Sequence, residues 1–164
     1  MAEYLLVIDM QTDYVADGKL YNQNQLVTAV NQKIAHYPSD RVIYVVNRFF
    51  WEINKESKKF VDGLSLVSNQ VFEKRRISCF TNHYLKRFLE KNRARSLEIV
   101  GVDGNGCVNG SVLNAASLGY QVAVDLTCLG VANQKKFQKT LRKWERYGVI
   151  IKGESLCPHA NERF

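Results

Sequence analysis

Three residues of this chain pair a reactive group with the end of an apolar run. Asp9 closes "YLLVID" (4–9), Lys74 closes "QVFEK" (70–74), and Cys107 follows "SLEIVGV" (96–102) across the glycine-rich stretch "GVDGNGC". A free thiol has a pKa of about 8.5 and is a poor nucleophile at neutral pH until something draws off its proton. A helix N-terminus favours the thiolate through its partial positive charge and free N–H groups, and a neighbouring ammonium acts in the same direction. A carboxylate accepts the thiol proton and returns it to a leaving group. The N–H groups of a tight loop stabilise a tetrahedral oxyanion. Each residue alone has a plainer reading. Asp9 caps the turn "DMQTDY" with Gln11 and Asp13, Lys74 is surface charge beside Arg75 and Arg76, and Cys107 is a small buried hydrophobe.

The elements that must bring the trio together are legible as apolar runs and helical stripes. Strands are expected at 4–9, 41–47, 70–74, 96–102, 120–126 and 148–153, the third and last being the weakest. Short, almost wholly apolar runs suit strands covered on both faces of a parallel sheet. Between them, apolar residues recur at helical spacing at 26, 27, 30 and 34, and again at 84, 85, 88 and 89. A third helix begins at Cys107, and a basic fourth follows "LGVANQ" with Phe137, Leu141 and Trp144 on one stripe. The alternation β-α-β-β-α-β-α-β-α-β predicts an α/β fold with a mostly parallel sheet. In such sheets ligands bind outside the carboxyl ends of the strands, where Asp9, Lys74 and Cys107 all fall. The connection 48–69 is long for so small a chain. It carries Phe49, Phe50 and Trp51 directly after a strand, as a pocket wall, a core cap or an interface.

Composition narrows the classes. With 164 residues, 46% apolar and 24% charged, the chain is read as one globular domain, 1–164. No apolar run is long enough to span a membrane, and the N-terminus reads as a strand, so a cytoplasmic location is expected. Cys79, Cys107, Cys128 and Cys157 are then expected as reduced thiols, without the CxxC pairing of a zinc site or redox dithiol. The net charge of +7 is read as a solvated basic surface and not as a nucleic-acid footprint. The glycines at 101, 104 and 106 do not follow the dinucleotide order G-x-G-x-x-G, and no G-K-[ST] is present.

Three segments together resemble the isochorismatase-like cysteine hydrolases, the superfamily of nicotinamidases and N-carbamoylsarcosine amidase. "LLVIDMQTDYV" is similar to the opening strand, with Tyr14 in place of Phe. "VFEKRRISCF" is similar to the lysine segment, and "GVDGNGCVNGSVLNAASLGYQVAVDLTCLG" to the nucleophile loop, its helix and the next strand. The resemblance implies a three-layer αβα fold with a six-stranded sheet in the order 3-2-1-4-5-6. It also implies that Cys107 attacks an amide carbonyl to form a thioester, that Asp9 shuttles the proton, and that Lys74 holds the two in register. A non-proline cis peptide would fall between Val102 and Asp103, presenting the Asp103 and Cys107 N–H groups to the oxyanion. Tyr14, Arg48, Trp51 and Asn105 are the candidate substrate-binding residues. A small-molecule substrate and a homo-oligomer, dimer or tetramer, are implied as well.

The chain departs from that pattern where nicotinamidases bind a metal through an Asp-x-His pair and two later histidines. Phe49 and Trp51 occupy the pair's positions, and no histidine occurs between His36 and His83. Glu52 and Glu56, the alternative donors, lack an imidazole partner, so neither metal nor cofactor is expected. The nucleophile loop has Gly104-Asn105 where the family often has Thr-Asp. His83 reads as a helix-surface residue. Two other readings stand beside the amidohydrolase. One is a non-catalytic small-molecule-binding or assembly module on the same fold. The other is a vinyl-ether hydrolase of isochorismatase type, which can dispense with the cysteine.

Overall fold

Six strands, β1 (Tyr4–Ile8), β2 (Val42–Asn47), β3 (Val71–Lys74), β4 (Ser96–Val102), β5 (Gln121–Gly130) and β6 (Ile150–Lys152), form one sheet in the order β3-β2-β1-β4-β5-β6. The computed structural model describes residues 1–16, 20–52 and 58–153; Glu56 and Cys157 lie outside them. Every neighbouring pair is parallel. The expected order is therefore observed, and the sheet is wholly parallel where a mostly parallel one was expected. β5 runs four residues past the expected end, to Gly130, and pairs with Val102 across a register shift between Ile99 and Gly101.

Alternation along each strand assigns its side chains to two cores. Tyr4, Leu6 and Ile8 of β1 face one side, with Leu97 and Ile99 of β4. That side is covered by α3 (His83–Lys91), α4 (Cys107–Ser117) and α5 (Gln134–Arg146). Leu5 and Val7 face the other, under α2 (Gln23–Ala35), the single turn α1 (Thr12–Val15) and residues Val61 and Leu64 of the long connection. The result is the three-layer αβα arrangement. The basic stripe of α5 lies outward, while Phe137 and Trp144 are buried against each other in an edge-on contact at 5.5 Å. Among the described residues no helix is long and apolar enough to cross a membrane.

Glycine is required where β4 passes the end of β1. Gly101 has a φ of +118°, and a Cβ there would collide with the Ile8 carbonyl oxygen. A side chain at 101 would push β4 away from the residue that precedes Asp9, so this close approach sets the separation between the nucleophile loop and the carboxylate.

One polar cluster lies inside the α2 side of the sheet. Glu98 of β4 is 1% exposed, accepts from the Tyr37 hydroxyl at 2.5 Å and is ion-paired with Lys33 at 2.9 Å. Lys33 also reaches Asp125 at 2.9 Å, and Lys152 stands 3.8 Å from Glu98. Removing one partner of such a buried pair leaves an uncompensated charge. Lys33→Met is therefore expected to lower unfolding free energy in urea by roughly 2–3 kcal/mol, below the full cost of an orphaned charge because Lys152 and Tyr37 remain. The double variant Lys33→Met/Glu98→Gln should recover part of that loss.

Candidate active site

β1, β2 and β3 end side by side, and each delivers a polar residue to the same level. Asn47 pairs in register with Lys74, and the Asp9 N–H donates to the Val45 carbonyl at 2.9 Å. Asp9 itself adopts a φ of +53°, a left-handed conformation that Asp tolerates better than most residues. α4 begins at Cys107, so the thiol sits on the first turn of a helix.

These elements converge on the Lys74 ammonium, which is 1% exposed. Nζ lies 3.0 Å from Asp9 Oδ2, 3.2 Å from Cys107 Sγ and 3.1 Å from Asn47 Oδ1. An ammonium has three hydrogens to donate, and each meets one acceptor. Asp9 Oδ1, on the other side of the carboxylate, is buried and has no hydrogen-bond partner among the described residues. That oxygen is the one left to take a proton.

Burial is the largest influence on both titrating partners. It raises Asp9 above the ordinary carboxylate value, against the opposing pull of Lys74 and the Cys107 thiol. It also pushes Cys107 up to about 11, with the Asp9 carboxylate acting in the same direction and Lys74 against it. At neutral pH the thiol therefore keeps its proton. This differs from the thiolate that a helix N-terminus beside an ammonium suggests. Loss of solvent and an adjacent negative charge outweigh the Lys74 ammonium.

A second tier of polar residues holds this group. The buried Gln11 clasps the Asn47 backbone, donating Nε2–H to its carbonyl at 3.1 Å and accepting its N–H at 2.6 Å. Asn47 Nδ2 donates to the Tyr14 hydroxyl at 2.9 Å. In the nucleophile loop the Val102–Asp103 peptide is cis. The Asp103 carboxylate accepts from the Tyr21 hydroxyl at 2.8 Å and from the N–H groups of Asn105 at 2.7 Å and Ala132 at 2.9 Å. Asn47 and Tyr21 escaped the sequence reading. A polar residue closing the apolar run "VIYVVN" was the available signal for Asn47, while nothing local marks Tyr21.

The candidate binding residues divide. Tyr14 joins the group through Asn47. Trp51 lies at an exposed rim, stacked on Phe49 with centroids 4.5 Å and planes 6° apart, and edge-on to Phe50 at 4.8 Å. Arg48 is engaged by Glu73 at 2.9 Å and the Glu52 carbonyl at 3.1 Å. Asn105 faces α5, donating to the Asn133 carbonyl at 2.9 Å and accepting from Thr140 at 2.8 Å, so its amide ties the loop down. His83 opens α3 beside Tyr84.

The described residues of this rim do not offer the donor set of a nicotinamidase metal. Phe49 and Trp51 offer no donor atom to one. Glu52 and Asp13 are paired with the Lys58 ammonium at 2.6 and 2.9 Å. Among the described residues no three His, Cys, Asp or Glu side chains group closely enough to hold a metal ion.

Comparison with known proteins places the fold. A pyrazinamidase of Pyrococcus horikoshii in complex with zinc superposes with a TM-score of 0.78 at 20% identity, covering 94% of this chain and 100% of its own. The nicotinamidase of Staphylococcus aureus gives 0.72 at 22% identity, covering 93% and 100%. An isochorismatase-like hydrolase of Alkaliphilus metalliredigens gives 0.74 at 17%, covering 91% and 92%. These likenesses are of fold. No curated protein matches the chain by sequence. The isochorismatase domain matches residues 3–155, nearly the whole sequence, and the chain belongs to that family.

Proposed function

We propose that the protein is a cysteine-dependent hydrolase that cleaves the C–N bond of a small amide or carbamoyl-type substrate through a thioester on Cys107, as one hydrolase domain over residues 1–164. The observation that carries this reading is the buried Lys74 ammonium within hydrogen-bonding distance of Asp9, Cys107 and Asn47 at once. A binding module has no use for a buried cation that faces both a thiol and a carboxylate.

Cys107 Sγ attacks the carbonyl carbon while its proton passes to Asp9, whose raised pKa makes it a stronger base than a surface carboxylate. The negative charge developing on the carbonyl oxygen is met by the Cys107 N–H. This is the first N–H of α4 and has no helical carbonyl to bond. The Asp103 N–H is the second donor in this reading. Asp9 returns the proton to the departing amine. Water then attacks the thioester, with Asp9 again as base, and releases the acid. Lys74 faces both partners and offsets whichever of them carries the negative charge. No step uses a metal. The neighbouring folds include pyrazinamidase and nicotinamidase, which supports amide chemistry over vinyl-ether cleavage, as does the placement of the cysteine.

Cys107→Ala is expected to lower turnover of a responsive primary amide by at least ~10⁴-fold, as removal of a nucleophile does, with the far-UV circular dichroism of the folded protein retained. Intact-mass spectrometry of the wild type should trap an acyl adduct on Cys107. Full activity in Cys107→Ala would sink the mechanism. The pH dependence has a definite sign. Below its raised pKa Asp9 is protonated and cannot accept the thiol proton, so kcat/KM should fall on the acid side at a pH above the ordinary carboxylate value of about 4. Alkylation of Cys107 by iodoacetamide, resolved by peptide, should keep rising with pH towards about 11. A plateau already reached at or below neutral pH would show that the thiolate is formed at rest.

A further inference from the structure

The positive charge of the chain is gathered on one face of the fold. α5 carries Lys135, Lys136, Lys139, Arg142, Lys143 and Arg146, all exposed, against Glu145. α3, in the same layer, adds Lys86, Arg87 and Lys91 against Glu90. Nine cations against two acids equal the whole net charge of +7; of the chain's 23 cations and 16 acids, 14 of each remain elsewhere and cancel. None of the nine forms an ion pair among the described residues. On the opposite side of the sheet, α2 holds a single cation, Lys33, already paired with Glu98 and Asp125. A merely solvated surface has no reason to sort its charge in this way.

The face is also shaped. Trp144 of α5 donates to Asn109 of α4 at 2.8 Å, and Phe88 of α3 lies against Tyr4 and Phe72 of β1 and β3, so α4 is the middle helix of the layer. It has no charged residue and exposes only Asn114 and Ser117. A neutral, short-chained floor therefore runs between two basic walls. Where α3 parts from the end of α4 the floor opens into a cavity of about 660 Å³ lined by Lys86, Arg93 and Arg95, with Glu90 and Tyr120. Arg95 is held by Glu3 at 3.4 Å, while Lys86 and Arg93 have no ion partner among the described residues.

We infer that this trough binds the phosphate backbone of double-stranded nucleic acid without reading its sequence. Charge complementarity names a polyanion, and two parallel basic walls suit a rod better than a plane. The apolar stripe of α5 is spent in the core, with Phe137 and Trp144 buried, so it has nothing to insert into a bilayer. α4 has no aromatic residue on which the bases of a single strand would stack. The cations of α5 span ~16 Å at the rise of a helix. A duplex presents about ten phosphates over that length, of which roughly half face the protein, so about five contacts are expected. The face lies on the helix layer, apart from the chemistry proposed for Cys107.

The test is fluorescence anisotropy of a labelled 20-base-pair duplex titrated with the full chain at several salt concentrations. The logarithm of the affinity should fall against the logarithm of salt with a slope of about −4 to −5, so that raising salt from about 50 to 200 mM weakens binding by roughly 10³-fold. Lys139→Gln/Arg142→Gln on one wall and Lys86→Gln/Arg87→Gln on the other should each make the slope shallower by about one to two. Lys59→Gln, beside Val61 on the α2 side, should leave it unchanged, and a second duplex of unrelated sequence should bind equally well. The inference is overturned if the duplex does not bind at about 50 mM salt, if only one wall affects the slope, or if Lys59→Gln weakens binding as much as the wall variants. Binding to phosphatidylserine vesicles that the duplex fails to compete away would overturn it in favour of a lipid surface.

Discussion

The site depends on keeping one ammonium charged in a place with almost no water. Lys74 is enclosed by the sheet and by α4, and desolvating a charge of that kind costs several kcal/mol unless its hydrogens are all met. Asp9, Cys107 and Asn47 meet them, and this need explains why three strand ends and a helix start are brought to one level. Two of the three acceptors titrate and one cannot. Asn47 therefore anchors the cation while the proton moves between the other two, and Gln11 in turn fixes Asn47 by its backbone.

The same enclosure changes the character of the nucleophile. A thiol at a helix N-terminus beside a cation would ionise in an open site, but here burial and Asp9 keep the proton on sulfur. The arrangement stores a proton, and the base waits with an oxygen that no other described residue occupies.

Much of this was legible in the sequence, for identifiable reasons. Parallel strands covered on both faces must be apolar throughout, so "YLLVI", "VIYVVN" and "SLEIVGV" declared themselves, and the rule that parallel strands end at one edge gathered Asp9, Lys74 and Cys107. The extension of β5 to Gly130 was hidden because Asp125 and Thr127 interrupt its apolar run; each bonds locally, with Thr127 donating to Asp125. The tie that Asn105 makes to α5 was hidden because its partners, Asn133 and Thr140, lie about thirty residues away on another element. The protonation state of Cys107 was out of reach for the same reason: local pattern reports a helix start and a nearby lysine, but not how much solvent the packed chain removes.

The contact at Gly101 has a consequence for how far such a chain can drift. The spacing between the Asp9 level and the nucleophile loop is set by main chain against main chain, with no side chain between. Hydrophobic residues elsewhere in the sheet can be exchanged without altering that spacing. Relatives that share only about a fifth of their residues with this chain still superpose over nine-tenths of it. In this chain the side chains that fill the cores have room to vary, while the crossing of β1 and β4 at Gly101 admits nothing larger than hydrogen.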